Sequence, residues 1–202
     1  MAQRVDHEQR RNRIADALTR IAVDRGLDDV GLREIAGEAE VSLGQLQHYF
    51  RSKDELLLFA LRRVGELATQ RVGERLASDG PTTPYLLIRT TLREMLPLDP
   101  QSRSGLLVHV AFLSRAVHDE ELRTITRDGT RPLAALFAGQ LHRAAEARAL
   151  TPGRDPDTEA ELLVCLAEGL ANYVLLDVHD PGTAMALMDR HLDALFTATA
   201  RA

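Results

Sequence analysis

Residues 41–53 contain no Asp or Glu, although the chain of 202 residues carries a net charge of −5. A stretch free of anions is what a phosphate-facing surface needs. The residue types inside it suit recognition rather than bond making. The Gln45 amide could pair bidentately with adenine, the Leu43 tip could meet a thymine methyl, and Gly44 leaves bare backbone between them. Arg33, a few residues upstream, is a further candidate for a guanine. Nothing in the chain suggests catalysis. There is no glycine-rich phosphate loop, no His-x-x-x-His pair with a glutamate, and no second cysteine. His109, His118, His142, His179 and His191 stand singly, which is not a metal-ligand pattern. The expectation is therefore a binding protein, not an enzyme, with no cofactor and no metal.

Short helices must position these groups. Ser42 followed by Gln45 is a capping box, and Ser52 followed by Glu55 repeats the device. Two helix starts that close leave room for about two turns between them. A helix that short cannot hold itself together in water. Leu46 and Phe50, four apart, give it one apolar edge against which neighbours can brace it. Upstream, Leu32, Ile35, Ala36 and Ala39 follow the i, i+3, i+4, i+7 pattern of another short helix. Two short helices joined by a tight turn describe a helix-turn-helix, whose second helix lies in the DNA major groove.

The pattern Arg33-x-Ile35-Ala36-x-x-Ala39-x-Val41-Ser42-x-Gly44-x-Leu46-x-x-Tyr49-Phe50-x-x-Lys53-x-x-Leu56 resembles the DNA-binding signature of TetR-family repressors. The C-terminal half loosely resembles the BetI-like branch. The resemblance implies that Lys53, the only lysine in the chain, touches a phosphate at the start of the fourth helix. Ser42, His48 and Tyr49 are the other backbone-positioning candidates, although either ring could instead pack within the small domain. Two positions depart from the family pattern. Val30-Gly31 stands where a capping hydroxyl is usual, and Glu40 stands where the turn normally has glycine. A glutamate in the left-handed region would cost roughly 1–2 kcal/mol.

Composition and periodicity support an all-α chain. Hydrophobic residues make up 45% and aromatics 4%, and strand-type alternation is nowhere sustained. Lone Cys165 excludes an internal disulfide, suits a reducing cytoplasm, and reads as a small buried hydrophobe. There is no apolar leader, and the most apolar run, 162–176, is too interrupted to span a bilayer. Residues 1–9 read as frayed. Arg10, Arg11 and Arg13 then open a helix ended by Gly26, facing either phosphate or solvent. The fourth helix spans about 53–77. Thr83-Pro84, Asp99-Pro100, Asp155-Pro156 and Asp180-Pro181 each place a capping oxygen before a proline, a strong helix start. They mark helices near 83–96, 100–116, 155–179 and 181–200. The intervening 119–149 is one helix or two, since Pro132 must kink or split it.

The expected organisation is an N-terminal three-helix helix-turn-helix DNA-binding domain, 1–53, and a larger helical ligand-binding and dimerisation domain, 54–202, with 53–77 as the connecting helix. The helix over 159–178 is apolar nearly all round, and the last carries a broad apolar stripe. A homodimer pairing 155–179 and 181–200 as a four-helix bundle would cover both. Two recognition helices about 34 Å apart would then meet a palindromic double-stranded operator. The resemblance also implies a small-molecule effector cavity in the larger domain. Its candidate lining residues are Phe59, Arg63, Tyr85, Arg89, Met95, His109, Phe112, Glu168 and Asn172. The second reading is a helical small-molecule binder or enzyme that does not use DNA.

Overall fold

The computed structural model describes residues 2–27, 29–78 and 81–200. Among them are α1 (Ala2–Arg25), α2 (Leu32–Glu38), α3 (Leu43–Tyr49), α4 (Lys53–Ser78), α5 (Pro84–Met95), α6 (Pro100–Ala116), α7 (Glu120–Glu146), α8 (Pro156–Leu175) and α9 (Pro181–Leu195). No strand occurs among the described residues; Leu150 and Phe196 form one isolated antiparallel bridge. Most starts are set by their caps. Thr83, Asp155 and Asp180 each accept the amide of the third helical residue and stand before a proline. Asp99 accepts the Ser102 amide at 2.8 Å and so caps α6 in the same way.

The chain divides into two compact units. One comprises Met1–Leu67 with Ser104–Leu122, the other Ala68–Arg103 with Arg123–Ala202. The first unit takes in the first half of α4 and most of α6.

In the first unit, Ile14, Ala17 and Leu18 of α1 are buried with Ile35 of α2, Leu46 of α3 and Leu56 and Leu57 of α4. Gly105 of α6 makes close helix packing possible, because a Cβ there would lie 2.6 Å from Val64 Cγ1 of α4. The Arg11 guanidinium lies over the Phe50 and Phe59 rings, 4.9 and 4.3 Å from their centroids. It serves as a cation–π brace, not as the phosphate contact or solvated charge expected of it. Arg13, Arg20 and Arg25 pair with Glu40, Glu38 and Glu34, fastening α1 to α2 and its following turn.

In the second unit, Ile88 and Leu92 of α5, Phe137 and Leu141 of α7, Leu163 and Ala167 of α8, and Met188 and Leu192 of α9 are all buried. Arg89 binds Asp189 bidentately at 2.7 and 2.9 Å, and the Tyr85 hydroxyl donates to Asp193 at 2.9 Å, tying α5 to α9. Glu94, whose side chain is 3% exposed, is held by Arg71 at 2.7 Å and by Arg75.

Three expectations need correcting, and one open alternative is resolved. Helix α1 begins at Ala2, not near Arg10. The ring of His7 in its early turns packs edge-on to Tyr49 at 4.8 Å, so the segment gains a tertiary contact. Helix α7 passes through Pro132 unbroken. The carbonyl that Pro132 leaves without an amide belongs to exposed Asp128, where water can serve it. Helix α8 stops at Leu175, short of residue 179, because Asp177 takes a positive φ of 54°. Cys165 is exposed on α8, not buried.

Burial first, and the hydrogen bond to Asp193 second, push the Tyr85 phenol from 10 up to about 12. The folded chain thus holds this proton more tightly than the unfolded chain does. The stabilisation it gives is complete below the unfolded value of 10 and is lost as pH rises through 10 to 12. A phenolate absorbance titration should show one tyrosine ionising late, and Tyr85→Phe should abolish that late step.

Candidate nucleic-acid interface

Helix α2 starts at Gly31, which supplies no side-chain cap (φ −91°, ψ 161°). After α2, the Ala39 amide donates to Ile35 at 2.9 Å and the Val41 amide to Ala36 at 2.9 Å. That wrap forces Glu40 to a φ of 55°, the strained conformation anticipated for it. The Glu40 carboxylate reaches Arg13.

Ser42 then stops the turn and starts α3. The Gln45 amide donates to Ser42 Oγ at 3.1 Å, and the Ser42 amide donates to Gln45 Oε1 at 2.9 Å, so the capping box is complete. Leu46 and Phe50 are both fully buried and seat the seven-residue helix on its neighbours. The Ser52 cap of α4 has a variant geometry. Its Oγ accepts from the Glu55 amide at 3.1 Å, but the Glu55 carboxylate reaches back to the Arg51 amide at 2.8 Å, not to Ser52.

The sealed edge leaves the other side of α3 in water. Ser42, Gly44, Gln45 and His48 are exposed, and Leu43 and Tyr49 are half-buried. Arg33 on α2 is exposed as well. The Tyr49 ring meets His7 at 4.8 Å and His48 at 5.4 Å, both edge-on. Lys53 is half-buried, and its ammonium donates to the Leu27 carbonyl. Asp54, the first acid after the window, is held bidentately by Arg115 of α6, with one contact at 2.8 Å. The pairing holds the Arg115 guanidinium above its ordinary value, chiefly through the Asp54 hydrogen bond.

Two further side chains belong to this surface and escaped the sequence reading. Gln47 and Arg51 are exposed, and neither side chain has a partner among the described residues. Their signal was the spacing Gly44, Gln47, Arg51, three and then four residues, on the side away from Leu46 and Phe50.

The nine candidate effector residues are divided between the two units. Phe59, Arg63, His109 and Phe112 lie in the first unit; Tyr85, Arg89, Met95, Glu168 and Asn172 lie in the second. Arg63 pairs with Asp16 at 3.0 Å, Phe112 is fully buried, and Asn172 is exposed. A cleft of about 360 Å³ in the first unit is lined by Leu27, Lys53, Leu57, Ala111, Ser114, Arg115, His118 and Asp119. It contains none of the nine.

Residues 14–60 match the family model of tetR-family bacterial regulatory proteins, and residues 86–197 match that of BetI-type transcriptional repressors, C-terminal region. The chain belongs to the TetR family. The HTH-type transcriptional regulator PksA of Bacillus subtilis (strain 168) is 36% identical over 180 residues, which are 88% of this chain and 84% of that protein. The HTH-type transcriptional regulator BetI of Rhizobium meliloti (strain 1021) is 31% identical over 164 residues, 80% of this chain and 75% of its own. Among solved structures, a transcriptional regulator from Rhodococcus sp. Rha1 superposes with a TM-score of 0.77 at 27% identity, covering 92% of this chain and 95% of its own. A Saccharomonospora viridis regulator in complex with choline shares the fold, with a TM-score of 0.76, 24% identity, and 92% and 94% of the two chains covered. This TetR-family chain is accordingly a DNA-binding transcriptional regulator of the repressor type, not an enzyme. No helix among the described residues is long and apolar enough to cross a membrane.

The box makes a direct prediction. Ser42→Ala should cost about 1 kcal/mol of stability in denaturant titrations. Ser42→Asp, which keeps a capping oxygen, should hold stability yet lower DNA affinity by placing an anion on the exposed face.

Proposed function

We propose that this TetR-family chain acts as a homodimer on a palindromic duplex operator in the cytoplasm and is released by a small-molecule effector. The carrying observation is the braced α3: a helix of seven residues, sealed on one edge, exposing a face without acids. Arg33, Leu43 and Gly44 would meet base edges, and Ser42, His48 and Tyr49 would lie along the backbone, with Gln45 setting the helix start and Lys53, expected at a phosphate, tied instead to the Leu27 carbonyl. In this reading residues 1–53 are the functional reader, 53–77 the connecting helix, and 54–202 the effector-binding and dimerising body.

Gly44 supports a direct role. A Cβ at this position would meet nothing within 4 Å, and its φ is not positive, so the fold does not require glycine there. Close approach of a groove would require it. Gly44→Ala should therefore raise thermal stability, by up to about 1 kcal/mol on helix propensity, while weakening operator binding in a mobility shift. Equal operator binding by the variant would remove Gly44 from the interface.

The dimer reading rests on an apolar face that the single chain leaves in water. On α8 and just after it Leu162, Tyr173, Leu176 and Val178 are 48%, 49%, 72% and 56% exposed, and Leu187 on α9 is 39% exposed. A face of this size on adjoining helices suits a second copy of the same helices. Leu162→Asp with Leu176→Asp should convert the dimer to monomer in sedimentation and weaken operator binding strongly. An unchanged sedimentation coefficient would refute this interface.

Effector release would be a population shift, which requires the effector to prefer a state whose reading heads no longer fit successive major grooves. Helix α4 runs continuously from the reader's unit into the second unit, so it is the natural element to carry the change. Selection of binding sites from random duplexes tests the reading as a whole. Recovery of a palindrome with salt-sensitive affinity supports it, and recovery of no preferred sequence rejects it.

A further inference from the structure

Gln45 and Lys53 combine the most suggestive residue types on the reader with side-chain atoms already engaged inside the protein. A bidentate pair with adenine uses both ends of a glutamine amide, the carbonyl as acceptor and the NH₂ as donor. The Gln45 Oε1 already accepts the Ser42 amide at 2.9 Å. Turning it toward a base would open the capping box and orphan that amide at the start of a helix too short to stand alone. Similarly, the Lys53 ammonium donates to the Leu27 carbonyl, and its stem is half-buried. Both side chains hold the reader together.

Two residues away from each stands a side chain of similar chemistry with no internal task. Gln47 lies one turn after Gly44 on the exposed face of α3, between buried Leu46 and exposed His48. Its amide has no partner among the described residues, so both ends are available. Arg51 follows the buried Phe50, whose φ of −140° and ψ of 118° end α3. The Arg51 backbone is pinned, since its amide donates to Glu55 Oε2 at 2.8 Å, but its guanidinium is exposed and unpaired among the described residues. By contrast, Arg13, Arg20, Arg25 and Arg63 of the same unit all face acids. A guanidinium fork on an anchored backbone suits bidentate phosphate binding.

We propose that base selection by α3 runs through Gln47, which pairs with an adenine, and that the adjoining phosphate grip comes from Arg51, while Gln45 and Lys53 are positioning residues. This rests on the reading of α3 as the helix that enters the groove. The neighbours agree with it. Bare Gly44, one turn before Gln47, lets the helix sit close enough for an amide to reach a base edge. The nearest acids are occupied: Glu55 by the Arg51 amide and Asp54 by Arg115.

The test uses the full-length chain on its selected operator and on every single-base-pair variant of that site, across a salt series. Gln47→Ala should lose discrimination at one or two base pairs per half-site, by roughly 5- to 150-fold, with an unchanged melting temperature. Arg51→Ala should weaken all sequences alike and lower the salt slope by about one per half-site, again without a change in melting temperature. Gln45→Ala and Lys53→Ala should each lower the melting temperature by about 2–4 °C and keep the wild-type base preference and salt slope. Gln45→Glu preserves the box, because an acid serves at that position equally well. It should fold normally and keep the base preference while binding every sequence more weakly. Relaxed selectivity in Gln45→Glu with intact selectivity in Gln47→Ala would overturn the proposal. A flattened salt slope in Lys53→Ala but not in Arg51→Ala would overturn it as well. Failure of the wild type to select any sequence would instead defeat the operator reading, and is seen before any substitution is made.

Discussion

A helix of seven residues with no stability of its own is the constraint on which the reader depends. Two things hold it. The reciprocal bonds between Ser42 and Gln45 satisfy two amides at its start, and the full burial of Leu46 and Phe50 fixes its edge. Both act on α3 from the side that faces the protein or from its first turn. The residues of this helix that neither device uses are Leu43, Gly44, Gln47, His48 and Tyr49, with Arg51 just beyond it. In the proposed reading, structural and recognition roles are divided along the helix by geometry, and residue chemistry alone does not reveal the division.

Charge is divided in a similar way. The chain as a whole is acidic, with a net charge of −5, yet it must approach a polyanion. Acids near the reader are placed where arginines meet them. Glu34, Glu38 and Glu40 face α1, and Asp54 faces α6. These exposed pairs contribute little stability individually. Their larger effect is on the field: they cancel carboxylates that would otherwise repel phosphate within a Debye length, about 8 Å at physiological salt. The remaining acidity limits loose adhesion to nucleic acid and leaves specific contacts to decide binding.

Features whose causes are local were legible in the sequence. Thr83-Pro84, Asp99-Pro100, Asp155-Pro156 and Asp180-Pro181 set their helix starts because cap and helix lie within four residues of each other. The Ser42–Gln45 box and the strained Glu40 turn could be read for the same reason. What could not be read depends on distant partners. Arg89 meets Asp189, a hundred positions later, and Tyr85 and Asp193 repeat the case. Arg11 looked like a phosphate ligand or a solvated charge until Phe50 and Phe59 closed under it. Cys165 in an apolar run looked buried, yet it shares its exposure with Leu162 on a face that one chain cannot cover. At Gln45 and Lys53 two plausible roles competed for one group of atoms, and sequence cannot show which role claims them.

Two residues make the reader less stable than it need be, and they differ in what accounts for them. Glu40 adopts a φ of 55°, which a glycine would adopt without strain. The carboxylate meets Arg13 in return, so the strained residue also fastens the turn to α1. That exposed pair offsets the strain only in part. Gly44 has no such internal return. It weakens a short helix, its φ is ordinary, and no neighbour fills the space a methyl group would take. A cost without an internal partner points outward. In the proposed reading, entry of α3 into a groove brings matter against bare backbone at this position, and this makes Gly44 the residue whose presence is hardest to explain for a helix that never meets DNA.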